Sequence, residues 1–190
     1  MLAQIAMLVV EALTAFFVYT LLARFHFQWL RVPFRNPVGQ FLLAVSSWMV
    51  VPARRVIPPL AGLDLASLAL AWVAQCAGLW ALAALAGRSF GATAEGMAAT
   101  LALYAALELV RYSLHILVFA VVVLALLSWF APYSPVGPVF DALTRPFLAP
   151  IRRFLPPLGG VDLSPLVLLV VLQILFIPLA ELRAYALGLP

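Results

Sequence analysis

Residues 52–65 read PARRVIPPLAGLDL, and residues 150–163 read PIRRFLPPLGGVDL. The two stretches share an arginine pair, a proline pair, a glycine and an aspartate at identical spacing. Working outward, residues 36–75 align on 134–173 without a gap, and 17 of the 40 positions are identical. The matches include Pro37/Pro135, Gly39/Gly137, Pro52/Pro150 and Gln75/Gln173. Chance does not produce this, so the chain is an internal duplication.

The flanking sequence says what is duplicated. Of 190 residues, 66% are hydrophobic and 9% charged. Soluble domains are closer to ~45–50% apolar and ~25% charged. A water-soluble fold of this size cannot hide so much apolar surface. Four stretches have the length of a membrane span, about 20 apolar residues each: 2–23, 64–86, 107–130 and 163–187. The first lacks the charged n-region and small-residue cleavage site of a signal peptide, and reads as a retained span. The expected fold is an all-α integral membrane protein. It has four main transmembrane helices in two parallel repeats, residues 1–90 and 91–190, plus two short interfacial or re-entrant helices. Two spans per unit return the chain to its starting side, so both copies have one orientation.

Charge sets the sidedness. All eleven basic residues are arginines. Arg24, Arg31, Arg35, Arg54 and Arg55 fall in the first connection, and Arg145, Arg152 and Arg153 in the second. Only Arg88 and Arg183 fall on the opposite side. The positive-inside rule then places both motif loops in the cytoplasm and both termini outside.

Each motif has a physical reading. Asn36-Pro37 and Ser134-Pro135 are helix starts, a capping oxygen followed by proline at the first helical position. About 14 residues then precede the next proline, which is too short to span. Arg54-Arg55 and Arg152-Arg153 follow. Their plain role is to hold the loop inside; their functional role is to bind anionic headgroups or a partner protein. Pro58-Pro59 and Pro156-Pro157 forbid helix, while Gly62 and Gly160 permit a sharp turn. Asp64 and Asp162 stand at the start of the next span, where a carboxylate caps free N–H groups and also faces the arginines. The stretch is a corner that turns the chain back into the membrane. Residues 88–112 are less regular. They either run as helix into the third span, which would then be tilted or overlong, or break near Gly91.

Glu11 and Glu108 lie at membrane depth in near-equivalent positions, which suggests a role. Glu108, Arg111 and His115 share one helical stripe. Arg111 pairs either with Glu108 locally or with Glu11 across helices, to lock packing or to form a proton or cation site. No nucleophile elbow, Walker loop, zinc motif or redox dithiol occurs, so neither catalysis nor a cofactor or metal is expected. The single Cys76 allows no intrachain disulfide. The basic residues flank spans, which gives nucleic-acid binding no support.

The stretches FRNPVGQFLLAVSSWMVVPARRVIPPLAGLDLASL and LLSWFAPYSPVGPVFDALTRPFLAPIRRFLPPLGGVDLSPL resemble the two domains of the YggT (YlmG-related) membrane protein family. The signature P-x-R-R-x-x-P-P-x-x-G-x-D occurs twice. The resemblance implies a small bacterial inner-membrane protein without known catalytic activity, linked to osmotic-stress tolerance, potassium handling and membrane organisation or assembly. It supplies no active-site residues. The expected role is a non-enzymatic organiser whose arginine corners contact lipid or an unidentified membrane partner. The rival is a cation (potassium) channel or transport accessory with Glu11, Glu108 and Arg111 along its path. Four spans make a thin pore wall, so that rival requires a homo-oligomer.

Overall fold

A computed structural model describes residues 1–60, 62–87, 94–131, 133–155 and 162–187. It holds six helices and, among the described residues, no strand. They are α1 (Leu2–Trp29), α2 (Pro37–Ala53), α3 (Leu65–Leu85), α4 (Ala94–Phe130), α5 (Gly137–Phe154) and α6 (Ser164–Ala186). Four of these, α1, α3, α4 and α6, are long and apolar enough to cross a membrane. Their outward faces are as oily as their cores: Leu8, Trp80, Phe119 and Ile174 are all more than half exposed. Helices that are apolar all round satisfy their own backbone and leave lipid as the outer solvent.

The order long–short–long occurs twice, as the duplication requires. Tyr19 Oη on α1 lies 3.5 Å from His115 Nδ1 on α4, and Phe27 clusters with Ala120. Both first helices therefore run the same way, and both motif corners sit at one end. Three apolar clusters bind the helices. One joins α1, α2, α3 and α4 around Val18, Leu22, Val50, Ala71 and Leu109. A second brings α2 and α5 together through Leu42, Phe140 and Leu143. A third holds α6 on α4 and α5 through Val121, Leu148, Leu168 and Leu172.

Several boundaries differ from the sequence expectation. α1 continues to Trp29, six residues past the expected end at 23. The charge that marked that end, Arg24, is a buried member of the helix. Leu30 caps α1, and Arg31 beyond it leaves the helical region with a φ of 55°. Residues 94–106 take one of the two expected courses and run as helix straight into the third span. At 1.5 Å per residue, 37 residues make a helix of about 56 Å, longer than the hydrocarbon core, so α4 projects from it or tilts. Residues 88–93 lie outside the described residues.

The two short helices also diverge. α2 starts as expected, with Asn36 accepting a hydrogen bond from Gly39 N at 2.8 Å. α5 starts at Gly137, later than Ser134-Pro135 implied. Pro138 then occupies its first turn, where a missing N–H costs nothing. α5 also runs through Pro146 and Pro150 to Phe154. α2 carries no charge, and Phe41 and Trp48 are exposed on it. α5 buries Val139, Phe140, Leu143 and Leu148 and turns Arg145, Arg152 and Arg153 outward. Such amphipathicity suits an interface, whereas α2 suits an apolar surround.

One glycine explains why the first pair of spans is the tighter. A methyl group on Gly78 of α3 would lie 2.4 Å from the Thr14 side chain of α1, so only hydrogen lets these helices approach. The repeat equivalent of Gly78 is Phe176, whose ring instead lies 4.9 Å from that of His115.

Candidate functional site

The first corner is a closed polar network. α2 ends at Ala53, and Arg54 follows as its C-cap. The Arg54 guanidinium grips Asp64 twice, Nε to Oδ1 at 3.2 Å and Nη2 to Oδ2 at 2.6 Å. Arg54 Nη2 also donates to Gln28 Oε1 at 2.9 Å, tying the corner to α1. Asp64 in turn caps α3. It accepts from Ser67 N at 3.4 Å and from Ser67 Oγ at 2.6 Å. Arg24 approaches from α1, with Nε 3.5 Å from Asp64 Oδ2 and Nη1 donating to Ser46 Oγ at 2.8 Å. Asp64 is fully buried and Arg24 is 3% exposed.

Burial pushes the Asp64 carboxyl up, but the Arg54 and Ser67 hydrogen bonds and the Arg54 charge outweigh it. The net effect holds Asp64 below the usual carboxylate range, as expected when donors favour the charged form. The chain leaves this network through the exposed Pro58-Pro59. It turns where Leu60 and Leu63 exchange backbone hydrogen bonds of 3.2 and 2.8 Å. Gly62 sits in that turn at φ +84°, a conformation side chains resist.

The second corner makes the same ion pair in the open. Arg152 lies in the last turn of α5, and its Nε donates to Asp162 Oδ2 at 2.9 Å. Asp162 Oδ1 accepts from Ser164 N at 2.9 Å. Burial pushes this carboxyl up too, but Ser164 and Arg152 outweigh it and hold it low. Arg152 and Asp162 are each more than a third exposed. Asp141 adds a second acid, 2.5 Å from Arg145 and 4.0 Å from Arg152. Pro156, Pro157 and Gly160 lie outside the described residues.

Thus in each motif the first arginine belongs to the aspartate ten residues on. The second arginine differs: Arg55 and Arg153 are exposed, and their side chains form no hydrogen bond or ion pair among the described residues.

A second polar cluster lies toward the chain termini. Glu108 is 2% exposed and held from both sides. Arg111 Nε donates to its Oε2 at 2.9 Å, and Arg183 of α6 pairs with its Oε1. Arg183 Nη2 also donates to Tyr104 Oη at 2.9 Å. Arg111 therefore meets Glu108 and not Glu11. The Glu11 side chain is exposed, without an ion pair or hydrogen bond among the described residues, and lines a cavity of about 230 Å3 with Gln75, Glu108 and Arg111. Gln75 is 4% exposed, and its Oε1 has no partner among the described residues. The cavity does not continue to the corner. Along α1, Val18, Leu21 and Leu22 separate Glu11 and Thr14 from Arg24; along α3, Ala71 separates Gln75 from Ser67 and Asp64. No group of three or more potential metal ligands forms among the described residues.

Sequence reasoning missed Arg24, Gln28, Ser46, Ser67 and Arg183. Arg24, Gln28 and Ser67 had a signal: they depart from the repeat, with Val122, Leu126 and Pro165 at plus 98, whereas Ser46 keeps a hydroxyl there in Thr144. Polar residues added to one copy point to a contact made in that copy. Arg183 had none, because 75 residues separate it from Glu108 in the chain.

Comparisons with known proteins agree with this architecture. The CCB3/YggT family model matches residues 3–85 and again 103–182, so the chain belongs to the CCB3/YggT family, as two tandem copies. Protein PA0392 of Pseudomonas aeruginosa is 31% identical over 187 residues, covering 97% of this chain and 93% of its own. Protein YggT of Escherichia coli K12 is 33% identical over 163 residues, 85% of this chain and 81% of its own. A Vibrio alginolyticus protein named for its place in the proC 3' region is 32% identical over 165 residues, 86% and 87%. None of these names carries an activity. No solved structure matches the chain.

Proposed function

We propose that this member of the CCB3/YggT family is a non-enzymatic inner-membrane protein that organises the membrane, or assists assembly in it, and so supports osmotic-stress homeostasis. Its motif corners face the cytoplasm and its termini the outer side, by the arginine distribution. The observation that carries the reading is the division of labour within each arginine pair. Arg54 and Arg152 brace the corner, and Arg55 and Arg153 stand exposed beside them at the same end of the molecule. A guanidinium held on a rigid turn matches phosphate bidentately, so anionic headgroups or an acidic partner segment suit it. The test is Arg55→Gln with Arg153→Gln, which leaves both ion pairs in place. The protein should insert normally and fail to restore osmotic tolerance to a strain lacking its own copy. Full restoration would overturn the reading.

The polar cavity supports a second reading, a transport accessory for cations with Glu11 at its mouth. The apolar layer around Leu21 and Leu22 weighs against a path through a single copy. Potassium and proton flux into liposomes separates the two. Flux lost in Glu11→Gln supports transport, and no flux at ample protein density leaves the organiser.

A further inference from the structure

The duplication allows one face of the molecule to be read from another. Inside the chain, α3 packs its stripe of Leu68, Trp72, Gln75 and Leu79 toward α4. Trp72 Nε1 donates to Ala102 O at 3.1 Å. Leu68 packs on the cluster that contains Leu109, and Gln75 and Leu79 border the cavity beside Glu108. The equivalent stripe on α6, at plus 98, is Leu166, Val170, Gln173 and Ile177. All four residues are exposed. α6 packs on α4 and α5, and no comparable packing joins it to α1 among the described residues.

The complementary face is bare as well. On α4, Ala102, Ala106 and Leu109 border α3. Their equivalents at minus 98 are Gln4, Leu8 and Glu11 of α1, and all three are exposed. One chain therefore carries both halves of its internal repeat-to-repeat interface, unused, at its two ends. Both halves contain a polar group at membrane depth. Gln173 has no hydrogen-bond partner among the described residues, although an amide offers two donors and two lone pairs. Glu11 is likewise unpaired there. In lipid such groups find their partners on neighbouring helices.

We propose that a second copy of this chain covers these faces: α6 of one copy packs on α1 of the next as α3 packs on α4 within the chain. Gln173 then comes near Glu11 of the partner subunit, which takes the place that Leu109 holds beside α3 within the chain. The contact is head-to-tail, so it closes into a ring if the rotation between copies allows and extends otherwise. It does not depend on what the arginine corners bind.

Crosslinking of the full-length protein in lipid vesicles tests it, in a Cys76→Ser background. The pair that reproduces Trp72 and Ala102 between copies is Val170→Cys with Gln4→Cys. Oxidation should give disulfide-linked dimers or higher species that need both cysteines. Phe119→Cys with Gln4→Cys, a similarly exposed pair on another face, should give background. Adding Gln173→Leu should weaken association by about threefold, the loss of one interhelical hydrogen bond. Yields no higher than the control pair would overturn the proposal. So would dimers formed by Val170→Cys alone, which would mean that α6 meets α6. A third contradicting outcome is crosslinking of Val170→Cys to a different membrane protein in native membranes in place of a second copy.

Discussion

The two corners carry the same signature and solve different problems. In the first, Asp64 is buried among Arg54, Arg24 and Ser67, and the network reaches back to Gln28 and Ser46. In the second, Asp162 meets Arg152 at the surface and shares it with Asp141. The motif encodes the ion pair. The surroundings decide whether that pair is a clamp or a surface contact. The first corner sits between an apolar α2 and the buried end of α1 that carries Arg24, so its charges must be satisfied internally. The second sits on the amphipathic α5, where solvent or headgroups share the load.

The largest test of this difference is Asp64→Ala against Asp162→Ala. Removing Asp64 leaves Arg24 buried without its counter-ion, and breaking such a pair costs about 3–5 kcal/mol. The exposed pair is worth about 0–1 kcal/mol. Unfolding of the purified protein in detergent should show the first variant strongly destabilised and the second close to the parent. Equal losses would erase the distinction.

The helix crossing makes a smaller contrast. Gly78→Ala pushes a methyl group into Thr14 and should cost about 1–3 kcal/mol by overpacking. The expected signature is lower thermal stability, partly restored by adding Thr14→Ala or Thr14→Gly, which remove both clashing γ atoms. Unchanged stability would mean that the α1–α3 contact is not close-packed.

Acid sharpens the comparison further. Both aspartates are held below their ordinary pKa, so each contributes stability that is present above the unfolded value, about 3.9, and lost as pH falls through the folded value. Stability should therefore be flat down to about pH 4 and fall below it. Asp64→Asn should flatten the acid limb of a pH series of unfolding curves more than Asp162→Asn does. The reverse order would place the stronger clamp in the second corner.

Much of this was legible in the residues. The repeat, four long helices, the Asn36-Pro37 start and the Glu108–Arg111 pair all follow from local spacing. The misreadings share a cause. A charge at 24 looked like the end of a span, because hydropathy cannot tell an arginine at the interface from one that a carboxylate forty residues away neutralises. Residues 94–106 stayed open between helix and break, because small residues support helix and loop alike. α5 looked more broken than α2 because of Pro138 and Pro146, yet it runs as one helix through Pro146, and the charges that make it amphipathic are what set it apart. Arg183 on Glu108 is a tertiary contact with no local trace.

The central claim is that each arginine pair divides into a brace and an outward hand, and one paired measurement tests it most directly. Arg54→Gln and Arg55→Gln are compared for unfolding stability and for restoration of osmotic tolerance. The account predicts that Arg54→Gln loses stability, because it strips the bidentate partner from Asp64. It predicts that Arg55→Gln keeps stability and loses function. A stable Arg54→Gln protein, or an Arg55→Gln protein that is stable and fully functional, would contradict it.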